Sequence, residues 1–293
     1  MALWHKNRRG TITGALALTA AFALSACGSS TPADTGASAS ASASGSAPAA
    51  AGGVQLVSPG KLVTCTNLPY PPFQAKDASG KVVGFDVEMI DLVAKKLGVT
   101  QEIVDIDFDA IKGGAALSAG KCDVAAAGMT ITEERKAHLD FSDPYFDEVL
   151  GLVTKKGAGV ATLDDAKSKN LSVGVQAGTT SLDLAKGKGI EAKEFKDSGK
   201  LLLALQSGQV DMVVQDLPVV VEWMKKPNIS SAFELSGQVP TKAQYGFAVK
   251  KGNAALLKAV NESLAGAISD GTWTKSYQQW MGAAPVSTPK PTS

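Results

Sequence analysis

The sequence is poor in the residues that usually carry metal or acid–base chemistry. It contains only two histidines, His5 and His138, and three cysteines, and their spacing does not match a metal site. We therefore expect no metal ion and no cofactor. The 29 lysines and arginines nearly balance the 28 aspartates and glutamates, and no basic run stands out. This balance argues against a nucleic-acid partner.

Aromatic residues are also scarce, at 6%, whereas glycine is plentiful, at 30 residues. This composition suits an α/β protein with many tight turns between strands and helices. A length of 293 residues favours two domains.

The first 27 residues, 1–27, are predicted to be a secretory signal. A charged start that includes Arg8 and Arg9 precedes an apolar segment over about 11–26. The segment ends in L-S-A-C, which resembles a bacterial lipobox, and this resemblance implies that Cys27 becomes the lipid-bearing N-terminus. The alternatives are an ordinary signal peptide or a short membrane helix, for which the apolar segment is short.

Residues 28–53 consist mainly of Ser, Ala, Gly, Thr and Pro. Such a segment cannot bury enough apolar surface to fold, so we predict a disordered linker between the lipid and the globular part. We expect the protein at the extracytoplasmic face of the cell membrane, held there through the lipid anchor only. Residues 285–293 are predicted to form a flexible tail.

The sequence leaves open whether Cys65 and Cys122 form a disulfide bond. Export favours a bond between two thiols. However, Cys65 lies near the end of a strand predicted at 61–66, and Cys122 lies at the start of another. In neighbouring parallel strands the two would be several residues out of register, beyond the Cα separation of about 7 Å that a disulfide tolerates.

The stretch 123–146 is the most informative part of the chain. It opens with an apolar run at 124–127, typical of a buried parallel strand, and then changes to helix formers. Thr130 and Glu133 fit a capping box, which places a helix N-terminus at the end of the strand.

Arg135 lies within the first turns of that predicted helix. Hydroxyl groups, free backbone N–H groups and a guanidinium at one strand end can hold a small carboxylate. The alternative is that Arg135 only forms surface pairs with neighbouring acids, namely Glu133, Glu134 or Asp140.

An internal repeat relates two parts of the chain. A-L-S-A-G-K-C-D-V at 116–124 matches A-L-Q-S-G-Q-V-D-M at 204–212, and each reads as a helix end, a glycine, an aspartate and an apolar strand. Counting five residues on from each aspartate gives Gly128 and Asp216. Ligands of open α/β sheets bind beyond such strand ends. Two facing sheets would enclose a ligand between Arg135 and Asp216, and a cation opposite a carboxylate fits an α-amino acid.

Two positions in the second half of the chain, Asp216 and residues 177–181, each allow a structural interpretation beside the functional one. Asp216 also fits an ordinary helix cap. Residues 177–181, A-G-T-T-S, form a second turn into a helix, where the hydroxyl groups fit either an anion site or ordinary N-capping.

From about residue 61 to 282 the chain resembles the polar amino-acid solute-binding proteins of bacterial ABC importers, the family 3 type of periplasmic binding protein. Several motifs carry this resemblance in the expected order: G-F-D-V-E-M (84–89), D-V-A-A-A-G-M-T-I-T-E-E-R (123–135), F-S-D-P-Y-F (141–146), V-G-V-Q-A-G-T-T (173–180), G-Q-V-D-M-V-V-Q-D (208–216) and Y-G-F-A-V-K-K-G (245–252).

The resemblance implies a two-lobed α/β fold, the type II periplasmic-binding-protein fold. Each lobe is then a mostly parallel sheet flanked by helices, and two hinge strands join the lobes. We expect lobe 1 at 54–151 and 245–284, and lobe 2 at 152–244.

The resemblance also implies roles for individual residues. Thr130 and Arg135 would hold the α-carboxylate of the ligand, while Gly128 and Asp216 would bind its α-ammonium group. Tyr70 would cover the ligand. The full set of expected ligand-binding residues is Asn67, Tyr70, Phe108, Gly128, Met129, Thr130, Arg135, Gln176, Thr179, Thr180 and Asp216.

The sequence departs from the family pattern around the side chain of the ligand. Asn67 stands where members that bind basic or amide side chains often carry an acid. Gln176 is at another position that faces the side chain, and Phe108 is the expected second aromatic wall. Because no spare charge is evident here, we favour a polar amino acid such as glutamine, asparagine or glutamate.

These observations predict a monomeric, non-enzymatic receptor that binds a free amino acid between two closing lobes and delivers it to the permease subunits of an ABC importer. The alternative is an enzyme in the cleft of the same fold, similar to cyclohexadienyl dehydratase. It would need a general acid or base beyond the ligand-holding residues, and the sequence shows no such paired acid or free histidine.

Overall fold

Twelve strands and eleven helices form within residues 53–290, the part of the chain that the computed structural model describes. The strands are β1 (Lys61–Thr66), β2 (Ala75–Lys76), β3 (Val82–Val83), β4 (Thr100–Asp105), β5 (Val124–Ala125), β6 (Leu139–Phe141), β7 (Phe146–Lys155), β8 (Val173–Gln176), β9 (Lys193–Phe195), β10 (Met212–Asp216), β11 (Phe233–Tyr245) and β12 (Ala248–Lys250). The helices are α1 (Phe85–Lys96), α2 (Phe108–Lys112), α3 (Ala115–Ser118), α4 (Glu133–Lys136), α5 (Leu163–Ser168), α6 (Thr180–Gly187), α7 (Ser198–Gln206), α8 (Leu217–Met224), α9 (Pro227–Ser230), α10 (Ala254–Ser269) and α11 (Thr272–Met281).

Several predictions concern residues outside this range. The predicted signal peptide with Cys27, the linker up to residue 52 and the last three residues of the predicted tail lie outside the described residues. None of the helices within residues 53–290 has the length and apolar character needed to span a bilayer.

The first sheet has the strand order β4-β1-β5-β12-β6. Strands β4, β1 and β5 are parallel, and β12 and β6 complete the sheet by antiparallel pairing. Five of the six residues of β1 are buried, as expected for a strand that helices cover on both faces.

The second sheet repeats this arrangement in the order β11-β7-β10-β8-β9. Strands β9, β8 and β10 are parallel, and the long strands β7 and β11 are added by antiparallel pairing. The α/β fold with two five-stranded sheets is therefore confirmed, although one strand in each sheet, β12 or β7, runs antiparallel to the other four and makes the sheet mixed.

The internal repeat corresponds to one structural unit that occurs in each sheet. Asp123 precedes β5 and its carboxylate accepts the backbone N–H of Val63 at 2.8 Å. Asp211 precedes β10 and accepts the backbone N–H of Ser172 at 2.9 Å. Each aspartate thus ties its own strand to the start of a parallel neighbour. Five residues after these aspartates are Gly128, which follows β5, and Asp216, the last residue of β10.

Aromatic side chains fill the junction between the two sheets. β7 begins at Phe146 and β11 ends at Tyr245, and their rings stack with centroids 5.4 Å apart. Phe73 contacts both rings edge-on, at 5.1 and 5.6 Å. The loop that follows β1 is thereby packed against the two strands that connect the sheets.

Cys65 and Cys122 form a disulfide bond, with their Cα atoms 5.7 Å apart. In the parallel ladder Cys65 lies opposite Ala125. The register argument against the bond is wrong because β5 is regular only over Val124–Ala125. Cys122 precedes the ladder and is not held to its spacing.

Two short helices, α2 and α3, lie between β4 and β5. Gly113 and Gly114 separate them, and Gly114 has a φ of 75°. This left-handed conformation interrupts a helix and favours glycine.

Candidate functional site

A cavity with about 340 Å³ of empty space lies where strand ends of the two sheets face each other. It is lined by ten of the eleven residues expected from the sequence, together with Ala127. The lining residues are Asn67, Tyr70, Phe108, Ala127, Gly128, Thr130, Arg135, Gln176, Thr179, Thr180 and Asp216.

Met129 is the expected residue that does not line the cavity. Its side chain is fully buried in an apolar cluster of the first sheet, with Phe108, Ile111 and Leu139. Gly128 and Thr130 line the cavity on either side of it, whereas the side chain of Met129 packs into the core.

Arg135 is 6% exposed and forms one wall of the cavity. Its Nη1 donates to the carbonyl oxygen of Thr130 at 2.7 Å, and its Nη2 donates to the carbonyl oxygen of Gly178 at 3.2 Å. The guanidinium carbon lies 5.3 Å from the centre of the Phe108 ring. These contacts use two of the five N–H donors of the guanidinium.

The alternative of a surface ion pair for Arg135 is wrong. Among the described residues no acid lies within ion-pair distance of its guanidinium; Glu133 pairs with Lys136 instead, and Asp140 pairs with Lys251. Burial moderately lowers the pKa of Arg135, opposed first by the negative charge of Glu148. The side chain remains a cation that faces the cavity.

The helix cap beside Arg135 differs from the prediction. Thr132, rather than Thr130, is the N-cap of α4, and its hydroxyl accepts the backbone N–H of Arg135 at 3.2 Å. The hydroxyl of Thr130 is therefore not needed for capping. It donates instead to Oε1 of Glu148 at 2.5 Å.

Asp216 is 5% exposed and lies at the end of β10. The hydroxyl of Tyr70 is within hydrogen-bond distance of Oδ2 of Asp216, at 2.5 Å, and of Oε1 of Gln215, at 2.8 Å. Asp216 precedes α8, but its side chain makes no capping bond. Asp216 is thus the N-cap of α8 by position, but its carboxyl group is not used for capping.

Burial raises the pKa of Asp216 to about 7, and the negative charge of Glu148 adds to this effect. Tyr245, Tyr70 and Arg135 act in the opposite direction, because hydroxyl donors and a cation favour the ionised form. A cationic group placed beside Asp216 would likewise lower the pKa of its carboxyl group.

An amide pair connects the two sheets on another side of the cavity. Nε2 of Gln176, at the end of β8, donates to Oδ1 of Asn67 at 2.9 Å. Nδ2 of Asn67 donates to the carbonyl oxygen of Ile106 at 2.9 Å. With Phe108, these amides give this part of the cavity one aromatic wall and uncharged polar groups.

The two threonines at the start of α6 have different partners. The hydroxyl of Thr179 donates to the carbonyl oxygen of Gln176 at 2.8 Å. The hydroxyl of Thr180 donates to Oε1 of Glu148 at 2.8 Å. Neither side chain makes a helix-capping bond with the backbone of α6.

Glu148 is the most important residue near the site that sequence reasoning missed. It is 3% exposed, and one of its oxygen atoms accepts the hydroxyl groups of both Thr130 and Thr180. The sequence signal was present, since Glu148 occupies a buried position in β7, an otherwise largely apolar strand. Glu148 is thus a buried acid behind the lining residues Thr130 and Thr180, which the sequence analysis did not include.

A second buried acid, Asp86, lies beneath Gly128. It accepts the backbone N–H of Gly128 and the hydroxyl of Tyr145, each at 2.8 Å. Burial raises its pKa to about 7. Asp86 lies in the first turn of α1 and supports the backbone at Gly128, which lines the cavity.

Metal binding has no candidate among the described residues. Within residues 53–290 no group of three or more His, Cys, Asp or Glu side chains has an arrangement that could hold a metal ion.

Comparison with known families gives one extended match. The family described as "Bacterial extracellular solute-binding proteins, family 3" matches residues 62–192 and 181–283. The two matched segments together contain both sheets and all eleven residues that line the cavity.

Individual proteins resemble this chain over most of their length. The L-cystine-binding protein TcyJ of Escherichia coli (strain K12) is 31% identical over 226 residues, which cover 76% of this chain and 84% of that protein. The ABC transporter glutamine-binding protein GlnH of Bacillus subtilis (strain 168) is 32% identical over 212 residues, which cover 71% of this chain and 76% of that protein.

A solved structure resembles the fold described above. It is that of an ancestral arginine-binding protein bound to glutamine, with a TM-score of 0.71 and 42% sequence identity. The similarity covers 76% of this chain and 99% of the solved chain.

Proposed function

The chain belongs to the bacterial extracellular solute-binding proteins of family 3, and we propose that it captures a free amino acid between two lobes and delivers it to the permease subunits of an ABC importer. One observation carries this proposal. A buried guanidinium and a buried carboxyl group, Arg135 and Asp216, line the same cavity and come from elements that flank different sheets. The relatives named above bind amino acids, which agrees with this chemistry.

The two charged side chains would hold the two ends of a zwitterion. Arg135 retains free N–H donors for the α-carboxylate, and α6 directs its positive N-terminal end towards the same region at Thr180. Asp216 and the backbone carbonyl of Gly128 would accept the α-ammonium group. Tyr70, which already contacts Asp216, would cover the ligand.

Ligand capture would proceed by hinge bending of β7 and β11, the two strands that connect the sheets. We assign residues 54–151 and 245–284 to lobe 1 and residues 152–244 to lobe 2, with crossings near 150–154 and 242–247. Closure would desolvate both ends of the ligand, which is why each end needs a charged partner.

The cellular arrangement is part of the same proposal. A lipid on Cys27 would hold a monomer at the extracytoplasmic face of the membrane, and residues 28–53 would act as a tether. The length of this tether would let the globular part reach a permease in the same membrane.

A cleft enzyme is the second candidate function, because Glu148 is a buried acid of the kind that such an enzyme requires. We favour the receptor, since Oε1 of Glu148 is occupied by two hydroxyl donors and Glu148 does not line the cavity. A receptor returns its ligand unchanged. Incubation with amino acids and with a prephenate-like substrate, followed by mass spectrometry, separates the two functions.

The proposal is tested by calorimetric titration of the purified protein with each of the twenty amino acids. Arg135→Ala and Asp216→Ala should each weaken binding by about 100-fold or more, because loss of one partner leaves a buried ligand charge uncompensated. The matched controls are Lys136→Ala and Asp164→Ala, which remove exposed members of surface ion pairs and should leave affinity unchanged. Unaltered affinity in both site variants would remove the assignment.

A further inference from the structure

The buried carboxyl and basic side chains of residues 53–290 are strongly unequal in number. They comprise four acids and a single cation, namely Asp86, Asp123, Glu148, Asp216 and Arg135. Asp123 lies away from the cavity, at the start of β5. The other three acids lie in the walls of the cavity or directly behind its lining residues.

Glu148 is placed where it competes for the donors of the carboxylate-binding wall. Its Oε1 accepts the hydroxyl of Thr130 beside the first sheet and the hydroxyl of Thr180 beside the second. Each threonine has one hydroxyl proton, so both protons are used by Glu148. The negative charge of Glu148 also acts on Arg135, where it is the first of the charges that oppose the effect of burial on the pKa.

The rim of the cavity does not supply a compensating cation. Lys112 approaches Gly178, but its ammonium group lies 3.6 Å from the carboxylate of Asp109. Asp183, in α6, adds a further negative charge that acts on Arg135. The local excess of negative charge is therefore intrinsic to the site.

Counting charges gives an order of preference among ligands. With a ligand ammonium group beside Asp216, that carboxyl is ionised, so the site holds Arg135 against two acids, Glu148 and Asp216. A zwitterionic amino acid leaves one negative charge uncompensated, an anionic amino acid leaves two, and an amino acid with a cationic side chain leaves none. Uncompensated buried charge is costly.

We propose that Glu148 is a specificity-determining residue that makes this site select amino acids with a cationic side chain over neutral and anionic ones. The inference rests on the proposed function, since it assumes that an amino acid is the ligand. It departs from the sequence prediction of glutamine, asparagine or glutamate, which counted no spare charge near the site. Glu148 acts through Thr130, Thr180 and the electric field, not by lining the cavity.

The test uses ligand pairs that match in shape and differ by one charge. L-Arginine is compared with L-citrulline, and L-glutamine with L-glutamate, by calorimetric titration of the full chain. The wild-type protein should bind arginine at least about tenfold more tightly than citrulline, and glutamine more tightly than glutamate. Tighter binding of citrulline than arginine, or of glutamate than glutamine, would overturn the proposal without any variant.

The variant Glu148→Gln keeps the shape of the side chain and removes its charge. It should reduce the arginine-to-citrulline affinity ratio by about tenfold and raise the affinity for glutamate relative to glutamine. Glu148→Asp retains the charge and should retain the preference for arginine. The matched control, Glu133→Gln, changes an exposed glutamate and should leave both ratios unchanged.

Failure of this inference is distinguishable from failure of the proposed function. If no amino acid binds the wild-type protein, the receptor assignment itself is wrong. If amino acids bind but Glu148→Gln leaves both affinity ratios unchanged, the receptor assignment survives and the role of Glu148 is wrong. A merely structural role of Glu148 would weaken all four ligands equally and leave the ratios as they were.

Discussion

Burial affects the protonation states of the two charged residues of the site, Arg135 and Asp216, to different extents. Arg135 is buried against two backbone carbonyl groups and keeps its charge, because a guanidinium is deprotonated only at very high pH. Asp216 is buried to a similar degree, yet its pKa moves into the neutral range. Near neutral pH, the residue of this pair that takes up a proton is therefore Asp216 and not Arg135.

The titration of Asp216 predicts a pH dependence of ligand binding. Burial first, and the charge of Glu148 second, raise the pKa of Asp216 from 3.8 to about 7. The protonated carboxyl stabilises the fold fully below about pH 4, and this contribution is lost as the pH rises through 7. An ammonium group requires the ionised carboxylate, so amino-acid affinity should be about tenfold weaker at pH 6 than at pH 8.

Calorimetry in buffers of different ionisation enthalpy checks this pH dependence directly. Below pH 7 the wild-type protein should release a proton when the ligand binds. Asp216→Asn should bind weakly, with no proton release and no change between pH 6 and pH 8. An affinity of the wild-type protein that is constant over this interval would contradict the assignment of Asp216 to the ammonium group.

At the scale of elements, the site depends on how β5 and β10 end. Gly128 follows β5 with a φ of 55°, a left-handed conformation that turns the backbone beneath the Tyr70 ring. A Cβ atom added at Gly128 would lie 3.0 Å from Cε1 of Tyr70. Tyr70 also contacts Asp216, the last residue of β10. The backbone turn that follows β5 therefore helps to position a residue at the end of β10.

Gly128→Ala should therefore impair ligand binding as well as stability. Gly208→Ala is the matched control, since Gly208 has a φ of 75° but no atom within 4 Å of an added Cβ. Each variant should lose about 1–2 kcal/mol of unfolding free energy from the left-handed conformation. Only Gly128→Ala should also weaken amino-acid binding by about tenfold or more, because Tyr70 must move.

Denaturant unfolding and calorimetric titration of both glycine variants measure these two effects separately. Equal affinities of Gly128→Ala and Gly208→Ala would show that the Tyr70 ring does not need its present position.

At the scale of the whole molecule, direct hydrogen bonds across the cavity hold the two sheets together. Gln176 donates to Asn67, and Arg135 donates to the carbonyl oxygen of Gly178. Outside the cavity, the hydroxyl of Ser198, the first residue of α7, donates to the carbonyl oxygen of Pro69. The loop after β1 is thus fixed from both sides when the lobes are closed.

Ser198→Ala should destabilise the closed arrangement without touching the ligand. Loss of one buried hydrogen bond of about 1 kcal/mol corresponds to about fivefold weaker binding, mainly through faster ligand dissociation. Stopped-flow fluorescence measures the dissociation rate. Ser230→Ala removes a hydroxyl bonded only within its own short helix and should leave this rate unchanged. A dissociation rate that Ser198→Ala does not alter would place this contact outside the closure mechanism.

The sequence by itself determined the features that depend on local pattern. Apolar runs predicted the strands at 61–66 and 124–127, and the repeat of helix end, glycine, aspartate and strand placed Gly128 and Asp216 at matching strand ends. Arg135 followed from its spacing to the preceding strand. These predictions succeeded because residues close in the chain set where an element ends.

Only the tertiary structure decided which distant groups meet. The disulfide bond depends on where the chain runs before β5, and the sequence register argument could not include that path. Glu148 gained its importance because the segment between β5 and α4 and the start of α6, which are separated in the chain, bring Thr130 and Thr180 to one oxygen atom. The burial of a side chain and the charges that act on it depend on all of its neighbours in space. The order of residues along the chain does not give the distances between those neighbours.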